Sequence, residues 1–186
     1  MITKIPSVPG INISIPDDDL MDTANSLAEY YKNNYSFFEK YDYICSDMIT
    51  KDYWFCRLHK NMLLRQSYEI IFIMTDENDS QNIIGTITIN NIMLKPLHNC
   101  CLSYNLDQNR HGSGYMTKAL TVVMPLLFDE MNIHKIISYY LEENQKSAKL
   151  LNRSGFFKEG IIREFMEING VWKNAVMMSL LNTSIT

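Results

Sequence analysis

The chain has 186 residues, 46% of them hydrophobic, enough to bury one substantial core and short for two, so residues 1–186 are read as a single domain. Seventeen basic against 21 acidic residues leave a formal net charge of -4, which argues against general nucleic-acid binding and leaves a neutral or cationic substrate open. The four cysteines, Cys45, Cys56, Cys100 and Cys101, lack Cys-x-x-Cys spacing, and the four histidines, His59, His98, His111 and His134, lack ligand spacing, so no metal is expected. Nor is a membrane span, because nowhere do eighteen apolar residues run together; with no secretory leader in Met1 to Pro16, a reducing cytoplasm is the expected location.

In chain order, Pro16-Asp17-Asp18-Asp19 reads as a helix start, followed at helical spacing by Leu20, Ala24, Leu27 and Tyr31 to about Asn33. Tyr35 to Tyr68 is aromatic-rich and irregularly helical, with Asp52 as an N-cap candidate, and is suited to covering a cleft. Tyr68 to Met74 is strand-like, Asp76 to Ser80 a hairpin turn, and Ile83 to Asn91 and Cys100 to Leu106 alternate again, which predicts an antiparallel meander. Gly114 to Met131 then predicts an amphipathic helix, with Pro125 expected to kink or break it. A strand at His134 to Leu141, a helix at Gln145 to Arg153 closed by Gly155, and a hairpin over Gly160 to Leu181 turning at Asn169-Gly170 complete the chain.

The turn Asn109-Arg110-His111-Gly112-Ser113-Gly114-Tyr115 joins a strand to a helix, and glycines there let the backbone approach an anion while free helix amides point at it. Arg110 and Lys118 are available to add positive charge, and Thr117 a hydroxyl. A Gly-x-Gly turn alone is ordinary strand-to-helix geometry. Here, however, the turn follows the third strand of an antiparallel meander, not the first strand of a parallel unit as in a dinucleotide-binding fold.

That arrangement resembles the GCN5-related N-acetyltransferase (GNAT) superfamily. The segments IIGTITINNI, CCLSYNL, GSGYMTKAL, IHKIISYYLEENQKSAKLLNRSGFFKEG and INGVWKNAVMMSLL narrow the resemblance to the RimJ/RimL group of ribosomal-protein-alanine N-acetyltransferases, with LAEYYKNNYSFF a looser match. The resemblance implies an α+β (α/β) fold with a central, mostly antiparallel mixed sheet flanked by helices, and acetyl-coenzyme A as cosubstrate. It implies a coenzyme site made of Tyr104, Asn105, Leu106, Asn109, Arg110, His111, Gly112, Ser113, Gly114, Tyr115, Met116, Thr117, Asn144 and Ser147. Asn109 replaces a customary Gln or Arg, Ser103 a glycine, Ser113 a Lys or Arg, and Lys118 a Glu.

Acetyl transfer needs a neutral amine, a polarised carbonyl and a proton for the departing thiolate, and positioning supplies much of the rate. By the resemblance, main-chain amides over Tyr104 to Leu106 hold the acetyl carbonyl, Asn144 bonds the pantetheine arm and Ser147 protonates the thiolate. Asn144 is equally an ordinary N-cap, with Ser147 at the third helical position, and both roles are compatible. Glu164 is the expected base, with Glu167 or water as competitors; alternation puts Glu164, Met166 and Ile168 on one strand face.

The expected acceptor is the N-terminal amine of a protein, a ribosomal protein being the example the resemblance supplies. Two other readings stand beside it: a small-amine acetyltransferase acting on a polyamine, amino sugar or antibiotic, and a catalytically silent binding module of the same fold. Neither direct nucleic-acid contact nor membrane contact is expected, and the oligomeric state is not readable from the sequence.

Overall fold

Residues 2, 4–16, 19–64 and 69–183 are described by a computed structural model in which one mixed sheet separates two apolar layers. Its strands are β1 (Ile11–Ser14), β2 (Ile70–Asp76), β3 (Asp79–Met93), β4 (Asn99–Leu106), β5 (Lys135–Leu141), β6 (Phe157–Ile168) and β7 (Val171–Leu181), arranged β1-β2-β3-β4-β5-β7-β6. The expected meander is β2-β3-β4, antiparallel throughout, whereas β4 and β5 run parallel. Alternation along β2 shows why the sheet needs cover on both faces. Ile70, Phe72 and Met74 join one core with helices α3 (Tyr115–Asp129) and α4 (Gln145–Arg153). Ile71 and Ile73 join the other with α1 (Leu20–Phe38) and α2 (Lys51–Leu63).

Several expected boundaries move, each for an identifiable reason. The expected first helix stops near Asn33, but α1 continues to Phe38 because Asn34, a breaker by composition, is 2% exposed and donates its amide to the Tyr30 carbonyl at 3.0 Å. Asp19 caps that helix by accepting from the Asp22 N–H at 3.1 Å; Asp17 and Asp18 lie outside the described residues, as does Tyr68. The cap of α2 is Thr50, whose hydroxyl accepts from the Tyr53 N–H, and not Asp52, which sits in the first turn where a negative charge faces the helix dipole. Strand β1 was not expected at all: four residues between Pro9 and Pro16 carry too little pattern to be seen until β2 pairs with them.

Pro125 does not break α3, which runs through it to Asp129. Both Pro125 and Thr121, whose carbonyl loses its partner, lie on the exposed side, where the orphaned group is open to solvent. At the final turn, Asn169 and Gly170 both have positive φ (51° and 78°), the signature of a two-residue hairpin whose twist matches its strands. Gly85 in β3 is required by crowding, since a Cβ there would stand 2.9 Å from the Asn105 carbonyl oxygen of β4.

Beneath the sheet, Arg57 of α2 forms a two-pronged ion pair with Glu69, which is 5% exposed and also accepts from Asn61 Nδ2 at 2.8 Å. Burial alone would raise the Glu69 carboxyl, but hydrogen bonding and charge from Arg57, helped by Asn61, hold it below the usual carboxylate range. Removing one partner strands the other, so Glu69→Ala should lower unfolding free energy by about 3 kcal/mol in denaturant titration. Because the folded pKa is depressed, the contribution of Glu69 is fully present above the unfolded value of about 4.3 and disappears as pH falls through the folded value. The gap between wild type and variant should therefore narrow at acid pH.

Candidate active site

The central cleft exists because β4 and β5 pair for only three residues. Asn99, Cys100 and Cys101 meet Lys135, Ile136 and Ile137, after which the strands part. The remainder of β4 pairs only with β3, so on its other side the main chain of Tyr104 to Leu106 faces a cavity of about 700 Å³. Main-chain amides without a strand partner are suited to polarising a carbonyl oxygen. Ser138, Tyr139, Tyr140 and Leu141 of β5 form the opposite wall.

One end of the cleft is the glycine turn. Gly112 and Gly114 both have positive φ (83° and 76°), and a Cβ at either would meet no atom within 4 Å, so backbone conformation and not crowding selects glycine. The first helical bond of α3 runs from Lys118 N–H to the Gly114 carbonyl at 3.0 Å. The N–H groups of Tyr115, Met116 and Thr117 precede that ladder, and all three residues line the cleft with Gly112, Gly114 and His111. His111 Nε2 lies 3.2 Å from the Leu106 carbonyl, and burial, with the Lys146 charge second, lowers its pKa.

Asn109, Arg110 and Ser113 stand outside the lining. Arg110 pairs with Asp76 at 3.1 Å, and the Asn109 N–H is held by Asp107 Oδ1 at 2.7 Å. Lys118, the other expected cation, donates to the Pro9 carbonyl at 3.1 Å. These contacts brace the turn. Among the lining residues the positive charge is that of Lys146, Lys149 and Arg153, which all line the cleft from α4. Their spacing of three and four residues puts them on one helical face, a signal present in the sequence but overlooked.

Buried Asn34 clasps the same turn from α1. Its amide nitrogen lies 3.3 Å from Asp107 Oδ2, and its amide oxygen accepts from the Gln108 N–H at 3.0 Å.

At the start of α4, Asn144 accepts from the Ser147 N–H at 3.1 Å, the cap read from the sequence, and both residues line the cleft. The Tyr104 hydroxyl is buried with Ser147 as its neighbour, at the margin of hydrogen-bond geometry; burial pushes its pKa up to about 12, opposed by the Ser147 side chain. Tyr104 and Ser147 thus put two hydroxyl-bearing side chains beside the free main chain of β4.

Glu164 is elsewhere. Between Ile162, opposite Ala175, and Met166, opposite Lys173, β6 carries surplus residues, and Glu164 sits on this bulge with φ 48°, exposed, its N–H bonded to Asn174 Oδ1 at 3.1 Å. Strand alternation therefore fails here: Phe165 and Met166 both line the cleft, while Glu164 and Glu167 do not. Phe165 stacks on Tyr139 with ring centroids 4.7 Å apart, closing the cleft between β5 and β6.

Residues 17–157 match the acetyltransferase (GNAT) domain family. The chain belongs to that family. It is 31% identical over 156 residues to the [ribosomal protein uS5]-alanine N-acetyltransferase of Escherichia coli strain K12, covering 83% of this chain and 80% of the relative. The ribosomal-protein-S5-alanine acetyltransferase of Vibrio fischeri superposes with a TM-score of 0.91 at 27% identity, over 99% of this chain and all of that one (100%). A RimL ribosomal L7/L12 α-N-protein acetyltransferase in complex with coenzyme A shares the fold, with a TM-score of 0.83 at 18% identity over 95% of this chain and 97% of that one.

The protein is an acetyl-coenzyme A-dependent N-acetyltransferase, and its cleft fits that cosubstrate chemically. It offers the free helix amides and glycine turn that a pyrophosphate requires, three cations for phosphate, the neighbouring Tyr104 and Ser147 hydroxyls and strand main chain without a strand partner. Acetyl-coenzyme A supplies the activated acetyl thioester. No cluster that could hold a metal occurs among the described residues, and no described helix is long and apolar enough to cross a membrane. Acetyl-coenzyme A should raise the melting temperature in step with the logarithm of its concentration above Kd, by the equivalent of about 2.7 kcal/mol at a hundredfold excess over Kd. Gly114→Ala, strained at φ 76°, should weaken that affinity roughly tenfold by calorimetric titration.

Proposed function

We propose that this acetyltransferase modifies the N-terminal α-amine of a protein, with a ribosomal protein as its natural acceptor, and that it does so in the cytoplasm as a single domain. The observation that carries the proposal is the shape of the acceptor side. Asp42 lines both the main cleft and a second cavity of about 410 Å³, bounded by Tyr35, Glu39 and Tyr43 and by the β6–β7 turn at Asn169 and Gly170. A peptide whose first nitrogen reaches the parted strands has space there for the residues that follow. The E. coli relative named for uS5 alanine supports the same acceptor class.

Charge argues against a polyamine acceptor. Inside the main cleft, where the acetyl group must be met, Asp42 is the one lining carboxylate among the described residues, enough for a single amine; Glu39 and Glu167 line the second cavity, so the small-amine arm of the test below decides against a polycation. The glycine turn and α3 amides hold the pyrophosphate, Lys149 and Arg153 face phosphate, Asn144 serves the pantetheine arm, the Tyr104 to Leu106 main chain polarises the acetyl carbonyl, and Ser147 protonates the thiolate.

Peptides beginning with Ala or Ser, offered beside spermidine and an aminoglycoside, should release thiol and gain one acetyl group on the first residue by mass spectrometry. Modification of the small amines alone would overturn the acceptor. Ser147→Ala should lower kcat by about 100-fold while leaving acetyl-coenzyme A affinity in place; an unchanged kcat would remove its role.

A further inference from the structure

We propose that Asp42 is the group that receives the acceptor amine and takes its proton during transfer, a role that rests on the α-amine reading above. Asp42 is the lone carboxylate among the described residues that line the main cleft, and it stands where that cleft meets the second cavity. An amine entering from the acceptor side must pass it to reach β4.

Three contacts place the carboxylate. Its own N–H donates to the Phe38 carbonyl at 3.0 Å, which anchors it to the end of α1. One oxygen accepts from the Tyr43 N–H at 2.8 Å. The Asn105 side chain lies against it, and Asn105 belongs to the stretch of β4 whose main chain faces the cleft without a strand partner. Through Asn105 the carboxylate is tied to the stretch of β4 suited to an acetyl carbonyl, and both line the same cleft, where a base for the attacking nitrogen is required.

The charge balance around Asp42 leaves it available. Arg57 is the cation within electrostatic reach, and its guanidinium is already committed to Glu69. The other titratable groups around Asp42 are Tyr31 of α1, Tyr41, Tyr104, His111 and Lys146 along the main cleft and, around the second cavity, Tyr35, Glu39, Tyr43 and Glu167. Burial raises the Asp42 pKa to about 6, against the opposing pull of the Tyr43 N–H, Asn105 and Arg57. A carboxylate with that pKa is ionised at neutral pH yet basic enough to accept a proton in the transition state.

The step balances without a further reagent. The neutral amine donates a hydrogen bond to the Asp42 carboxylate; its lone pair forms the C–N bond and the thioester C–S bond breaks. One of the two amine protons passes to Asp42, and the departing thiolate takes one from the Ser147 hydroxyl, which solvent restores. Glu164, on the exposed bulge outside the cleft, is not needed.

The test compares wild type with Asp42→Asn and Asp42→Glu, using a peptide with a free N-terminal Ala and the same peptide N-acetylated. Asp42→Asn should keep its stabilisation by acetyl-coenzyme A, bind the free-amine peptide no better than the acetylated one by calorimetry, and lose about 100-fold in kcat/KM. The wild-type rate should show a step near pH 6 below the amine's own step at about 7.7 to 8, and only the lower step should vanish in Asp42→Asn. Asp42→Glu should restore part of the rate, and carbon NMR of labelled aspartate should show a carboxyl titrating near pH 6 that is missing in Asp42→Asn. A folded Asp42→Asn that keeps the lower step and prefers the free-amine peptide overturns the proposal. If wild type acetylates only small amines, the acceptor reading falls, and the pH profile on that amine decides Asp42 separately.

Discussion

The early parting of β4 from β5 is the constraint on which the rest of the molecule depends. A parallel pair that hydrogen-bonded along its full length would consume the main-chain groups of Tyr104 to Leu106 and leave no room between the strands. Because pairing stops at Cys101 and Ile137, a stretch of strand main chain stays free inside the domain. Buried main-chain polar groups without partners are costly; His111 meets the Leu106 carbonyl, and the rest of this stretch lies beside a cavity where substrate can satisfy it. The helices sit around that opening: α3 brings its amino end to one side, α4 lays Asn144, Ser147 and its cations along the edge, and the end of α1 covers the acceptor side.

Reading the residues in order recovered much of this arrangement, because the strongest patterns were also the ones the fold uses. The two-residue period of Ile83 to Asn91 and of Cys100 to Leu106, the turn at Asn169-Gly170 and the Asn144 cap are local, and each is found where expected. What escaped depends on partners distant in sequence. Strand β1 is four residues that become a strand only beside β2, and Asn34 looks like a helix terminator until its amide is seen at work inside the fold.

The expected roles of the charged residues fared differently from those of the glycines, for a physical reason. A positive φ is a property of one residue and its neighbours, so Gly112 and Gly114 announce themselves. A charge is defined by what it meets: Arg110 meets Asp76 and Lys118 meets the Pro9 carbonyl, and neither lines the cleft. Likewise the bulge in β6 shifts which side chains face inward, so that an aromatic ring, not the carboxylate of Glu164, completes the cleft wall. Asp42 carried no local pattern at all, since its significance lies in two cavities meeting at one side chain.

The Asn34 clasp bears on when the entropy of the glycine turn is lost. An amide buried in one core and bonded to both Asp107 and Gln108 fixes the entry to that turn as part of folding. The loop therefore meets its ligand already ordered, and the conformational cost that a mobile anion-binding loop would charge against affinity has been met by the helix packed behind it.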